Sequence, residues 1–127
     1  MNVILSIRPN FCNMILSGQK KYEYRKRVFT RSHVDKIYIY ATKPICRIVG
    51  YFTMDKVIKE SLFDMWQKTY RDSGITKEYF DAYFKNCNTA HAIKIGEVVK
   101  LDNPIDPKKV INDFHAPQNF MYVDIDL

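Results

Sequence analysis

The spacing of apolar residues along this chain changes period twice. Val3-Ile4-Leu5-Ser6-Ile7 is a short, nearly continuous apolar run, which predicts a buried strand. Pro9 suits the first turn of a helix and Gly18 its C-terminal stop, with Phe11, Met14 and Ile15 at helical spacing between them. The basic, tyrosine-bearing segment after Gly18 reads as a second strand. Asp35 to Ala41 alternates, with Ile37, Ile39 and Ala41 opposed to Tyr38 and Tyr40, and predicts a third. Ile45 to about Ile58 is a long strand, with a bend expected at Gly50 because glycine inside a strand often marks a bulge or corner.

The middle of the chain is helical. Ser61-Leu62-Phe63-Asp64 resembles a helix cap, and Leu62, Met65, Trp66 and Tyr70 follow at steps of three and four. Asp72-Ser73-Gly74 is a turn. Thr76 then opens a second helix with a stripe of Tyr79, Phe80, Tyr83, Phe84 and Cys87. Such stripes ordinarily face a core, and core packing is the expectation here over an open platform for bases. Strand spacing returns from Ala90 to Leu101, with a bend at Gly96. Asn103-Pro104 and Asp106-Pro107 punctuate a loop, Pro107 to Phe114 reads as a helical turn, and Phe120 to Ile125 as the last strand. This order predicts an α+β fold, a small and mostly antiparallel barrel with flanking helices and a helical insert at about 61–87. With no internal repeat or low-complexity linker, the 127 residues fit one domain, 1–127.

Composition narrows the class. Apolar residues make up 46% and charged residues 27%, ordinary values for a soluble globular protein. No apolar run approaches the ~20 residues of a membrane span, and the N-terminus lacks a signal-peptide pattern, so a cytoplasmic protein with no membrane contact is expected. Cys12, Cys46 and Cys87 are odd in number and widely spaced, which points to reduced thiols rather than a disulfide framework or a zinc site. His33, His91 and His115 show no ligand spacing, and no metal or cofactor is expected.

Charge adds the candidate chemistry. From Lys20 to Lys36 seven basic residues stand against Glu23 and Asp35, in a chain whose net charge is +6. Asp102 to Leu127 runs the other way, with five Asp against Lys108 and Lys109. Clustered cations attract phosphates, although a solvated strand face would carry the same charges. On a strand, Glu23 and Arg25 point the same way as Lys21 and Arg27, and Tyr22, Tyr24 and Lys26 the other way. Arg25 can grip a phosphate or base edge through two parallel hydrogen bonds. Lys20, at the strand's start, can swing in as a point charge. Glu23 can accept from a base amino group or act as a proton acceptor, or it can simply pair with Arg25 or Lys20. Ser6, Arg8, Thr42 and Lys43 fall at or just past strand ends and are expected around the same cleft, with Tyr40 to stack on a base. Gln118 and Asn119 fit structural hydrogen bonds better than base reading.

Gly18-x-Lys20-x-x-Glu23-x-Arg25 resembles the Gly-x-Lys-x-x-Glu-x-Arg signature of the ASCH family, a branch of the PUA-like superfamily. Leu5-Ser6-Ile7-Arg8-Pro9, Ile15-Leu16-Ser17-Gly18, Ile39-Tyr40-Ala41-Thr42, Ile48-Val49-Gly50, Ala92-Ile93-Lys94-Ile95 and Ala116-Pro117-Gln118-Asn119-Phe120 also look like that family. The resemblance implies a PUA-like β-barrel, a cleft beside the signature, and RNA or a nucleotide-like ligand as partner. The first reading is therefore an RNA- or nucleotide-binding module, with a regulatory role left open, whose cleft is formed by Lys20, Glu23 and Arg25 with Arg8, Tyr40, Thr42 and Lys43. The alternative is a small hydrolase in which Lys20 and Glu23 would be catalytic. Family members similar to acetylcytidine amidohydrolases carry a Thr three residues after the Lys, where this chain has Glu23. Those resembling metal-assisted ribonucleases would need magnesium or manganese, for which one carboxylate is a poor cage. A protein-interaction domain without nucleic-acid contact is the third reading, marked by an exposed aromatic face on the 61–87 helices.

Overall fold

The first strand, β1 (Asn2–Ile7), is buried along its whole length because it has a core on each face. Val3, Leu5 and Ile7 share one cluster with Ile37, Ile39, Ala41, Phe52 and Ile93, while Ile4 faces Tyr38, Tyr40, Ile48 and Phe114 on the other side. That double burial is what produced a nearly unbroken apolar run. The computed structural model describes residues 1–31 and 33–127. The remaining strands are β2 (Tyr22–Arg25), β3 (Ile37–Ala41), β4 (Arg47–Ser61), β5 (Thr89–Ile105) and β6 (Phe120–Val123). They form one mixed sheet in the order β2-β5-β4-β3-β1-β6, curled into a half-barrel. β1 and β3 are parallel and the other pairs antiparallel, so the α+β, mostly antiparallel expectation holds.

The two outer strands are joined by side chains instead of a backbone ladder. Asn119 accepts from Arg25 and donates to the Arg27 carbonyl, both at 3.0 Å. The Tyr122 hydroxyl accepts from the amides of Thr30 and Arg31. These bonds tie the segment after β2 to the start of β6 and bring Arg25 over the end of β1.

Helix α1 (Pro9–Leu16) plugs one end of the half-barrel with Cys12 and Ile15. Its exit explains the glycine of the signature. Gly18 adopts φ +84°, a left-handed conformation that costs other residues energy, and the amides of Gln19 and Lys20 fold back onto the Met14 carbonyl. The chain therefore reverses within three residues and enters β2 with Lys20 directed inward. At Gly50 the ladders to both neighbouring strands shift register, as the expected bend requires, and a Cβ there would lie 2.5 Å from the Val99 carbonyl oxygen.

The insert is made of α2 (Leu62–Thr69), a 3-10 turn (Tyr70–Asp72) and α3 (Lys77–Tyr83). Ser61 and Thr76 cap the two helices, accepting from the amides of Asp64 and Tyr79. Met65, Phe80 and Phe84 are buried against Tyr24, Ala90 and Ala92, which fixes the insert to β2 and β5. No helix among the described residues is long and apolar enough to cross a membrane.

Several boundaries differ from the sequence expectation. The second strand covers only Tyr22–Arg25, since the amides of Lys20 and Lys21 turn toward Met14 and Asp72 instead of pairing with a strand. The fourth strand starts at Arg47, not Ile45, and the last ends at Val123, not Ile125. Asn103-Pro104 does not break the chain: β5 runs on to Ile105. There β2 has ended and β4 is the neighbour that remains, so proline's missing N–H costs no ladder bond on the open side. From Pro107 to Phe114 only Pro107–Lys109 is helical, as one 3-10 turn capped by Asp106.

Candidate functional site

The Gly18 turn and the Asp72–Gly74 turn together position Lys20. Its Nζ donates to the Ser73 carbonyl at 2.6 Å, lies 3.9 Å from Glu23 Oε1, and sits 5.2 Å from the ring centroids of Phe11 and Tyr24. Its side chain is 2% exposed. Burial pushes its pKa below the usual lysine range, with Glu23 pulling the other way. The turn after Gly18 does bring Lys20 to the lining of a cavity, where its amine is held by the Ser73 carbonyl of the insert and is not free to move.

Arg25 is equally engaged. Its Nε and Nη2 donate to Glu23 Oε2 at 3.1 and 2.6 Å, Nη2 also donates to the Ser6 carbonyl at 2.8 Å, and Nη1 reaches Asn119 Oδ1. The guanidinium holds β2 against the end of β1 and the start of β6, which leaves it no free two-pronged face for a phosphate. Glu23 differs in one respect. Both of its hydrogen bonds reach Oε2, whereas the Lys20 amine at 3.9 Å is too far from Oε1 to bond it directly. Among the described residues Oε1 keeps its acceptor capacity without being fully enclosed, and Glu23 lines a cavity.

That cavity has a volume of about 370 Å³, within the range of small-ligand sites. Its polar floor is Lys20, Glu23 and Arg25. Ser6, Ile7 and Arg8 form the wall at the end of β1, with Thr42 just past β3 and Pro117 and Gln118 before β6. The opposite wall is aromatic, built by Phe11 of α1 with Ile75, Tyr79 and Tyr83 of the insert. Phe11 and Tyr79 meet edge to face at 5.4 Å. Burial raises the Tyr83 hydroxyl pKa, so it remains a protonated donor through the neutral range.

Ser6, Arg8, Thr42 and Gln118 therefore come together with Lys20, Glu23 and Arg25. Tyr40 and Lys43 do not. Tyr40 lies on the face of β3 opposite Ile39 and Ala41, and with Lys43 it lines a different cavity. Asn119 is structural, as its residue type suggested. His91 bonds the Lys26 carbonyl, and His115 belongs to the second cavity. Among the described residues no group of three or more His, Cys, Asp or Glu side chains is placed to hold a metal ion.

Tyr79 and Tyr83 were missed as site residues, because the α3 stripe was expected to be all core. Phe80 and Phe84 are core, but each tyrosine comes one position earlier and so faces the neighbouring sector of the helix. A signal was present: the two buried members are phenyl rings and the two cavity members carry hydroxyls.

Beneath the ion cluster lies Cys12, whose thiol donates to the Ile7 carbonyl at 3.4 Å. Burial pushes its pKa up to about 12, and the nearby Glu23 charge adds to the rise. An unfolded thiol titrates at about 8.5, so between that pH and about 12 the folded state holds a proton that the unfolded chain has lost. Cys12 therefore contributes stability that is present below about pH 8.5 and is lost as pH rises toward 12. Alkylation at pH 8 followed by peptide mass mapping should label half-buried Cys46 and Cys87 well before Cys12. Equal rates would show that the thiol is open.

The ASCH domain family matches this chain over residues 5–99. An ASCH domain-containing ribonuclease of Zymomonas mobilis is 23% identical over 94% of this chain and 82% of its own length. The crystal structure of ASCH from Zymomonas mobilis has the same fold, with a TM-score of 0.90 and 23% identity, over 96% of this chain and 87% of that one. Large ribosomal subunit protein uL22 of Ureaplasma parvum is 25% identical over 95% of this chain, which spans 39% of that protein's length.

Proposed function

This chain belongs to the ASCH domain family, and on that premise we propose that it binds RNA by taking one nucleotide of a strand into the cavity beside Lys20, Glu23 and Arg25. The observation that carries the reading is an aromatic-walled cavity of about 370 Å³ lined by Glu23, whose Oε1 has no hydrogen-bond partner among the described residues. Every base has a π face for Phe11, Tyr79 and Tyr83, and a base amino group suits Glu23 Oε1. Arg8, exposed at the rim, supplies the cation for the phosphate. The cluster below is already bonded, so it is preorganised, and binding need not order it. The ribonuclease name of a relative supports RNA as the ligand class.

Calorimetric titration of 5′-mononucleotides and short single-stranded RNA, at several salt concentrations, tests this. Tyr83→Ala is expected to weaken mononucleotide binding by about 5- to 150-fold, the equivalent of ~1–3 kcal/mol of stacking. Arg8→Ala should weaken it less and flatten the salt dependence. Unchanged affinity in both variants would rule the cavity out.

One observation favours a second reading, RNA cleavage: a lysine of lowered proton affinity stands beside a carboxylate in the same cavity, an arrangement suited to proton transfer. The donor set does not fit a protein-held magnesium or manganese ion, since Glu23 is the cavity's one carboxylate and Arg25 already occupies its Oε2. Labelled RNA incubated with the protein, with and without either ion, should stay intact if the site only binds. Fragments that disappear with Lys20→Met would establish cleavage.

A further inference from the structure

A second cavity, of about 530 Å³, opens on the other side of the chain segments that border the first. The two meet at consecutive residues in two places. Thr42 lines the first and Lys43 the second, and Pro117 lines the first and Ala116 the second. Both segments are fastened to the end of β1: the Thr42 amide donates to the Ile7 carbonyl at 3.0 Å, and the Ser6 hydroxyl donates to the Pro117 carbonyl at 2.7 Å. The ridge between the cavities is therefore a fixed part of the sheet end, and adjoining units of one polymer can lie on either side of it.

The second cavity has the chemistry of a phosphate site with an aromatic floor. Tyr40 and Phe114 pack at 5.5 Å beneath it. Lys43, Arg47 and Lys108 supply three cations against one carboxylate, Asp106. Asp106 is mainly a cap, accepting from the Lys108 amide at 3.1 Å, and its Oδ2 is a loose 3.9 Å from the 44% exposed Arg47 side chain. Among the described residues the amines of Lys43 and Lys108 have no hydrogen-bond or ion-pair partner. Such amines are available to an anion, and Arg47, whose Nη1 donates to the Cys46 carbonyl at 2.9 Å, keeps further guanidinium donors at the same exposed rim.

We propose that this cavity is a second nucleotide subsite, in which Lys43 and Arg47 hold the phosphodiester next along the strand from the nucleotide in the first cavity. The inference rests on the reading of that first cavity and deepens it. The ligand becomes a continuous single strand of at least two nucleotides crossing the Thr42–Lys43 and Ala116–Pro117 ridge, rather than a free nucleotide. A duplex is disfavoured, because both cavities are recessed and each takes an unstacked unit.

Titrations of the four 5′-mononucleotides and a mixed-sequence single-stranded RNA tetramer, against the wild-type chain and the K43A/R47A double variant, test this. The tetramer should bind the wild type more tightly than any mononucleotide. In the double variant tetramer affinity should fall at least about tenfold, and the slope of log affinity against log salt should become shallower by about 0.7, for the one phosphate that Lys43 and Arg47 share. Mononucleotide affinity should stay the same. Both substituted side chains are exposed, so folding is expected to survive, and circular dichroism verifies it. A tetramer whose affinity and salt slope are unchanged, with mononucleotides still bound, overturns the second subsite and leaves the first standing. Failure of the wild type to bind either probe overturns both.

Discussion

Arg25→Ala is expected to lower the free energy of unfolding by about 3 kcal/mol or more, measured by urea denaturation at neutral pH. The substitution removes the three-way clamp on Glu23, Ser6 and Asn119 and leaves the Glu23 carboxylate, 7% exposed, with only Lys20 at 3.9 Å. A buried charge without a bonded partner is far more costly than the pair is favourable, so the loss should exceed anything an exposed ion pair would show. Adding Glu23→Gln to Arg25→Ala should recover part of it, because the remaining group is then neutral. The two changes should be strongly non-additive in a double-mutant cycle. A loss below about 1 kcal/mol, with additive singles, would mean that the cluster behaves as a surface pair.

Phe80→Ala is expected to cost about 3–5 kcal/mol and to lower the melting midpoint by on the order of 10–20 °C. Phe80 is 1% exposed and packs against Tyr24, Trp66 and Phe84 at ring separations of 5.2, 5.0 and 4.8 Å. Removing the ring leaves a void where the insert meets the sheet. The effect should reach the cavity as well, since Tyr79 and Tyr83 stand on the same helix and depend on Phe80 for their placement. Mononucleotide affinity should therefore fall below that of a variant equally destabilised elsewhere, for example Ile4→Ala on the opposite face of β1. Equal affinity in the two variants would show that the aromatic wall is positioned independently of this packing.

Much of the architecture was legible because its signals are local. Proline at the start of α1, glycine at its end, and Ser61 and Thr76 as caps each act within one turn of backbone, so residue type alone reports them. Alternation in β3 separated Ile37, Ile39 and Ala41 from Tyr38 and Tyr40, and those two sets do enter different cores. The same alternation held the reason that Tyr40 could not join Glu23, yet position near a strand end suggested a shared cleft with Thr42. Adjacent residues at a strand end can serve different cavities, and only the curl of the sheet decides which.

Charge was read correctly in quantity and incompletely in role. The signature's lysine, glutamate and arginine do meet at one point: Glu23 and Arg25 share a face of β2, and the Gly18 turn ahead of the strand carries Lys20 to them. That Lys20 would be docked on Ser73, and Arg25 committed to Ser6 and Asn119, depends on partners 53, 19 and 94 residues away in the chain. No local pattern encodes those bonds.

The chain's sequence by itself determined the strand and helix order, the reversal at Gly18 and the gathering of Lys20, Glu23 and Arg25, because hydrophobic period, capping and φ preference act over a few residues. The tertiary structure alone decided that the insert walls a cavity with Tyr79 and Tyr83, that Glu23 keeps one oxygen unbonded among the described residues, and that Lys43 lines a second cavity. Those outcomes depend on which surfaces are brought together when the sheet curls and the insert docks, and burial and hydrogen-bond partners are properties of that meeting and not of either surface alone.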